Sequence, residues 1–165
     1  MTSATIRTRR APRATPTTRG ELESPLLVIP GRPQARLHAS DGTPLAAGRH
    51  YYDHVQALAR RTFGNQPIHP QGQVPIRLEL YYAFTDEQAA ELGQSHATWH
   101  LQSIPSAATA PTIILGALAG HLYAHTSQVE PLTVTRTILS HDQATAEHGA
   151  ACRRGLAIVH LAGAP

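Results

Sequence analysis

The stretch VPIRLELYYAF, residues 74 to 84, decides the fold class of this chain. Its side chains alternate between apolar and polar, with Val74, Ile76, Leu78 and Leu80 set against Pro75, Arg77 and Glu79. A period of two predicts a β-strand that is buried on one face. Because such a face must be covered by a second layer, the flanking sequence should supply both partner strands and packing helices.

The segments around this strand meet that requirement. Three further strands are expected: LLVIPG at 26–31, VEPLTVTRTIL at 129–139, where Pro131 indicates an edge or a bulge, and GLAIVHL at 155–161. Helices are expected at 50–64 and at 109–120, the second apolar on nearly all sides, with a shorter one over 86–92. The order predicts an α+β domain in which helices pack on a mixed β-sheet.

Length and composition limit the function classes. A chain of 165 residues is expected to form one domain, and 41% hydrophobic residues is ordinary for a soluble protein. No apolar run approaches the roughly 18 residues that span a bilayer, and the N-terminus lacks the apolar core of a secretory signal. The single Cys152 fits a reducing compartment. We therefore expect a cytoplasmic protein with no membrane role.

Positive charge is concentrated at the N-terminus. All fourteen basic residues are arginines, and five of them lie in the first nineteen residues: Arg7, Arg9, Arg10, Arg13 and Arg19. The rest of the chain carries nine arginines against eleven acidic residues. Residues 1–24 are therefore interpreted as a disordered, Arg/Thr/Pro-rich arm that can contact phosphates, and residues 25–163 as the folded domain.

The stretch IPSAATAPTIILGALAGHLYAHTSQV, residues 104 to 129, resembles the RusA family of Holliday-junction resolvases. The family pattern runs K-P-D-x-D-N-x-x-K-x-x-x-D-A-L-x-G-x-x-x-x-D-D-x-Q-V and lies on this stretch without a gap. The residues that match it are Pro105, Ala117, Leu118, Gly120, Gln128 and Val129. The similarity in element order extends over residues 26–161. It implies a RusA-like fold, and the family's activity is Mg²⁺-dependent crossover junction endodeoxyribonuclease.

The family's chemical residues are missing from the matching positions. The positions that carry Asp, Asn or Lys in the family are here Ser106, Ala108, Thr109, Thr112, Gly116, His125 and Thr126. Mg²⁺ prefers charged oxygen ligands, and none of these side chains supplies one. We therefore expect no catalytic residue and no bound cofactor in this segment. His125 is a weak candidate for a metal ligand because it lies at a family ligand position. Two pairs, His96-x-x-x-His100 and His121-x-x-x-His125, have a spacing that could bind zinc on a helix, although solvent-exposed or hydrogen-bonded histidines are the simpler interpretation.

Other residues suggest contacts with DNA. Arg32, Arg36 and Arg49 lie where the family carries basic residues, and guanidinium groups suit phosphate oxygens. Arg7, Arg9, Arg10 and Arg13 of the arm are the second group of candidates. Tyr81, Tyr82 and Trp99 are aromatic side chains that stack on bases in some proteins, although core packing is the simpler interpretation.

Three hypotheses follow from the resemblance. The first is a homodimer that binds branched DNA, such as a four-way junction, in recombination or repair without cutting it. The second is an interaction protein that dimerises with an active relative or with a replication or recombination factor. The third is an active Mg²⁺-dependent junction endonuclease whose metal ligands lie at other positions.

Overall fold

The computed structural model describes residues 2–8, 25–88 and 104–162. The strands are β1 (Thr2–Thr8), β2 (Leu27–Pro30), β3 (Val74–Phe84), β4 (Val129–Ser140) and β5 (Gly155–Leu161). The helices are α1 (Ala46–Phe63), α2 (Thr112–Leu118) and α3 (His141–His148). Strand β3, which decided the fold class, has the predicted bounds.

The five strands form one mixed sheet in the order β1-β4-β3-β5-β2. Strand β4 runs parallel to both β1 and β3, whereas β5 is antiparallel to β3 and β2. The predicted α+β class with a mixed sheet is therefore confirmed. The register between β3 and β4 shifts next to Pro131, so the irregularity expected at that residue is present.

One face of the sheet, here called the helix-covered face, carries the main core. On β3 its side chains are Val74, Ile76, Leu78, Leu80 and Tyr82, each at most 1% exposed. Helix α1 covers this face with Tyr51, Val55 and Ala59, which recur at helical spacing, and α2 packs beside it with four buried residues. At about 25 cal/mol for each Å² of apolar surface removed from water, this layer dominates the stability of the fold.

A tight contact holds the loop after β2 against α1. A Cβ atom at Gly48 would collide with the carbonyl oxygen of Arg36, so glycine is needed for the loop to lie this close to the helix. Backbone hydrogen bonds join the same loop to the start of the helix, with Leu45 N donating to Leu37 O at 2.8 Å. This packing holds the loop that carries Arg36 against the start of α1, which carries Arg49.

The opposite face is defined by Arg77, Glu79 and Tyr81 of β3 and by His160 of β5. Helix α3 covers one end of it, where Ala144 packs against Ala83 and Leu139. Ser140 caps α3 by accepting a hydrogen bond from Gln143 N at 3.0 Å, while the Gln143 side chain accepts from Ser140 N at 3.0 Å. The sequence therefore contains a capping box that the prediction of elements passed over.

Several predictions of local structure need correction. The disordered arm is wrong for Thr2–Thr8, which pairs in parallel with β4, because β4 presents a free edge there. Helix α1 begins four residues before the predicted 50, and α2 spans Thr112–Leu118 rather than 109–120 because residues 107–111 form turns. The rest of the arm, 9–24, and most of the helix expected over 86–92 lie outside the described residues. In the described part, no helix has the length and apolarity needed to cross a membrane.

Candidate functional site

The segment that matches the family's metal-binding pattern is a turn whose hydroxyl groups bind one another. Ser106 Oγ lies 2.9 Å from Thr109 Oγ1, and it also accepts a hydrogen bond from Thr109 N at 3.3 Å. Thr112 Oγ1 donates to the carbonyl oxygen of Thr109 at 2.8 Å. These contacts use the hydroxyl groups to build the turn before α2.

The remaining matched positions are separated along the fold. Gly116 lies in α2, where a Cβ atom would be 3.9 Å from Cε2 of Tyr52 on α1. His125 and Thr126 lie in an exposed turn before β4. Gln128 fastens this turn, because its Oε1 accepts from the backbone N–H groups of residues 124 and 125 and its Nε2 donates to two carbonyl oxygens in the loop 69–72. The match at Gln128 therefore has a structural cause.

The histidine pair does not form a metal site. His121 is buried, with Nδ1 2.7 Å from the carbonyl oxygen of Gly64, whereas His125 is exposed in the next turn. No group of three or more His, Cys, Asp or Glu side chains suited to hold a metal occurs within residues 25–88 and 104–162. The second pair of the sequence, His96 and His100, lies outside the described residues, as does Trp99.

Two of the three predicted DNA-binding arginines of the loop region are exposed. Arg36 lies in the loop whose backbone contacts Gly48 of α1, and Arg49 is the residue that follows Gly48 on that helix. The guanidinium of Arg49 lies 5.6 Å from the ring centroid of Tyr52 and pairs with Asp53 at 3.4 Å. An exposed pair of this kind contributes little to stability, about 0.3–0.5 kcal/mol, so Arg49 remains available to a stronger anion.

Tyr52 connects this arginine with the degenerate segment. One side of its ring neighbours the position of Gly116, which matches a family carboxylate, and Arg49 lies against the same ring. Arg49 and Gly116 therefore both neighbour the ring of Tyr52.

Arg32, the third loop arginine, is drawn into the protein instead. Its Nη2 donates to the carbonyl oxygen of Ala83 at 2.7 Å, and its guanidinium lies 4.6 Å from the ring centroid of Phe84. The Nε atom is buried and has no hydrogen-bond partner. Arg32 is therefore part of a second group, which we call the arginine–tyrosine cluster: Arg32, Tyr51, Tyr82 and Arg136.

The other members of the cluster also have buried polar atoms without a hydrogen-bond partner. Arg136 donates one hydrogen bond to the carbonyl oxygen of Pro105, while its Nε is buried without a partner. The phenol oxygens of Tyr51 and Tyr82 are also buried and unpartnered. By contrast, the buried Tyr123 donates to the carbonyl oxygen of Leu115 at 2.6 Å. Tyr82, only 1% exposed, is also too deep to stack on a base.

Burial and charge shift the cluster's ionisation. Burial lowers the pKa of the Arg32 guanidinium, and the neighbouring positive charge of Arg154 lowers it further. Burial likewise lowers the pKa of Arg136. The pKa of Tyr82 is raised by burial, against the charges of Arg136 and Arg32, which act to lower it. Tyr82 therefore lies within electrostatic reach of the other three groups, and both cations are under a desolvation penalty.

Sequence reasoning missed Arg136 although a signal was present. Leu132, Val134 and Ile138 lie on the buried phase of β4, and Arg136 occupies the same phase. A charged residue on the apolar phase of a strand is unusual and marks a place where a cation is held inside the fold. The placement of Arg136 in one cluster with Arg32 and Tyr51 depends on the strand order, and no pattern in the sequence indicated it.

The candidates in the arm are described in part or not at all. Arg7 lies in β1, at the register position opposite Thr137 of β4. Arg9, Arg10 and Arg13 lie outside the described residues.

The chain matches no family model, and no match was found among curated proteins or among solved structures.

Proposed function

We propose that the protein is a cytoplasmic, RusA-like homodimer that binds branched DNA in recombination or repair without cutting it. The observation that carries this proposal is the position of Arg49 on Tyr52, beside Gly116, where the family pattern has a carboxylate. The segment has lost negative charge and has a cation next to it. That change favours direct contact with phosphate and disfavours a bound Mg²⁺ ion.

The hydroxyl network supports the same conclusion. Ser106, Thr109 and Thr112 form hydrogen bonds with each other and with the local backbone, which favours a structural role for this turn over a metal site. Exposed Arg36 lies in the loop that packs on the start of α1 and extends the positive surface. Such a surface binds DNA through several weak phosphate contacts whose sum depends on salt.

The first test is a gel-shift series with a labelled four-way junction and a matched duplex, in EDTA, Mg²⁺ and Mn²⁺ in turn. We expect a junction-selective shift in every condition and cleavage in none. Equal binding to both DNAs, or none at low salt, contradicts the proposal and favours a protein that acts through a protein partner. Metal-dependent nicking contradicts it in favour of an active nuclease.

A pair of variants tests the role of Arg49. Arg49→Gln removes one guanidinium at Tyr52, so the slope of log affinity against log salt should fall by about one unit and junction affinity should weaken. Arg60→Gln removes an exposed arginine from the last turn of the same helix and serves as the matched control. An equal effect of the two changes would mean that Arg49 contributes only general charge.

A further inference from the structure

The arginine–tyrosine cluster has a surplus of hydrogen-bond donors that the protein does not satisfy. Nε of Arg32, Nε of Arg136 and the phenol oxygens of Tyr51 and Tyr82 are all buried without a partner. Tyr82 is 1% exposed and Tyr51 6% exposed, so both side chains lie below the protein surface. Unpaired buried polar groups are costly and rare, and each one calls for an explanation.

The four groups come from four different parts of the chain. Arg32 follows β2, Tyr51 lies on α1, Tyr82 on β3 and Arg136 on β4. Arg32 donates to the carbonyl oxygen of Ala83, the residue after Tyr82. Arg136 is the register partner of Leu80, two residues before Tyr82 on the same face of β3. In agreement with this placement, the charges of both arginines act on the phenol of Tyr82, and Tyr82 acts on that of Tyr51. The fold thus assembles them at one place on the helix-covered face, near the C-terminal end of β3.

Positive charge in the cluster has no carboxylate partner within residues 25–88 and 104–162. Within the described residues, no carboxylate pairs with Arg32 or Arg136; the ion pairs there involve Arg49, His148 and His160. Arg154 adds a further positive charge that acts on Arg32. Charges that are partly removed from water are often paired, so two such cations without a carboxylate partner among the described residues favour an anion that comes from outside the chain.

We propose that the arginine–tyrosine cluster is a binding site for one phosphate group. Guanidinium forks match the oxygens of phosphate, and two phenol hydroxyls add neutral donors at the same place. A tetrahedral phosphate has enough acceptor sites to use all four donors. Both arginines are partly exposed, so their side chains mark the side from which a phosphate group would approach the cluster.

The phosphate comes either from a small phosphate compound or from a nucleic-acid end. A terminal phosphate reaches donors held this far below the surface more easily than a phosphate with a sugar on each side. The site does not depend on junction binding, which uses the exposed Arg36 and Arg49 and is assayed in phosphate-free buffer. Loss of either activity is therefore distinguishable from loss of the other.

The first experiment measures thermal unfolding of the full chain in increasing sodium phosphate, against sodium chloride at the same ionic strength. A ligand that binds only the folded state raises the midpoint with its concentration. We expect a saturable rise with phosphate that chloride does not reproduce. An equal rise with both salts overturns the proposal.

Three variants identify the site. Arg136→Gln should weaken phosphate affinity about tenfold or more, as expected for loss of a charge-assisted hydrogen bond, and Tyr82→Phe should weaken it several-fold. Tyr82→Phe removes only an unpartnered oxygen, so it tests the site even if Arg136→Gln does not fold. Arg77→Gln, a partly buried arginine of β3 on the opposite face, is the control and should leave the response unchanged. A wild-type response in both cluster variants overturns the proposal.

A second experiment distinguishes the two sources of phosphate. Affinity is compared for one oligonucleotide with a 5′-phosphate or a 5′-hydroxyl. A preference for the phosphorylated end that Tyr82→Phe removes supports the site and assigns it to nucleic-acid ends. No preference, together with a saturable response to inorganic phosphate, supports the site and assigns it to a small phosphate compound.

Discussion

On the opposite face of the sheet, Glu79 lies 3.3 Å from Nε2 of His160 and accepts a hydrogen bond from Tyr81 at 3.3 Å. On the helix-covered face, by contrast, no carboxylate among the described residues accepts a hydrogen bond from Arg136 or Tyr82. Unpartnered nitrogens occur on both faces, since Nε of Arg77 and Nδ1 of His160 are also buried without a partner. The difference is the carboxylate. Glu79 gives the opposite face its own negative charge, so its polar groups form part of the fold.

The comparison separates structural polar groups from functional ones. A network that contains both donors and a carboxylate acceptor has its negative charge within the protein and makes the sheet more specific. A buried cluster with donors and cations alone is incomplete until an anion binds. Because the cluster lies on the face that carries the core, the fold holds its geometry rigidly and gives up some stability to keep it.

The largest expected effect is a difference in stability between substitutions on the two faces, which reports how completely each face is packed. Leu78→Ala, at a fully buried position under α1, should lower the free energy of unfolding by about 2–5 kcal/mol. Ile158→Ala, a partly exposed position paired with Glu79 on the opposite face, should cost about 1 kcal/mol. Urea unfolding monitored by circular dichroism gives both values. Equal losses would mean that the opposite face is covered as completely as the first.

The next largest effect is expected when the contacts of Glu79 on the opposite face are weakened. Glu79→Gln removes the negative charge next to His160 and weakens the acceptor of Tyr81, so unfolding free energy should fall by about 1–2 kcal/mol, less than for a fully buried charged pair because Glu79 is partly exposed. Thr135→Val, at the register partner of Glu79 on β4, is the control and should change stability by less than about 0.5 kcal/mol. If Glu79→Gln is neutral, the carboxylate is not what completes this face.

The sheet was largely predictable from sequence, and the cluster was not. Alternation in 74–84 and the apolar run 155–161 are local signals, and both strands have the predicted bounds. Helix α3 has little amphipathic pattern, but Ser140 and Gln143 formed a readable capping signal. The meeting of Arg32 with Tyr82 is different in kind, because it depends on β5 and β2 lying beside β3. No local pattern encodes that order.

The smallest effect compares two buried tyrosines of the same layer. Burial raises the pKa of Tyr82 and of Tyr123 above the usual value near 10, so above pH 10 both phenols stay protonated in the folded state and ionise on unfolding. Stability is therefore complete below pH 10 and should fall as pH rises beyond it, by up to about 1.4 kcal/mol per pH unit for each tyrosine. Tyr82→Phe and Tyr123→Phe should each reduce this slope.

At pH 8 the same two variants should differ in stability. Tyr123→Phe loses the hydrogen bond to Leu115 O and should destabilise the protein by about 1 kcal/mol, whereas Tyr82→Phe removes an oxygen without a partner and should be neutral or stabilising in phosphate-free buffer. Phosphate should reverse the order for Tyr82 alone, because the wild type then gains a ligand that the variant binds less well. Equal destabilisation of the two variants without phosphate would show that Tyr82 already has its partner, and the contrast between the two faces would then lose its meaning.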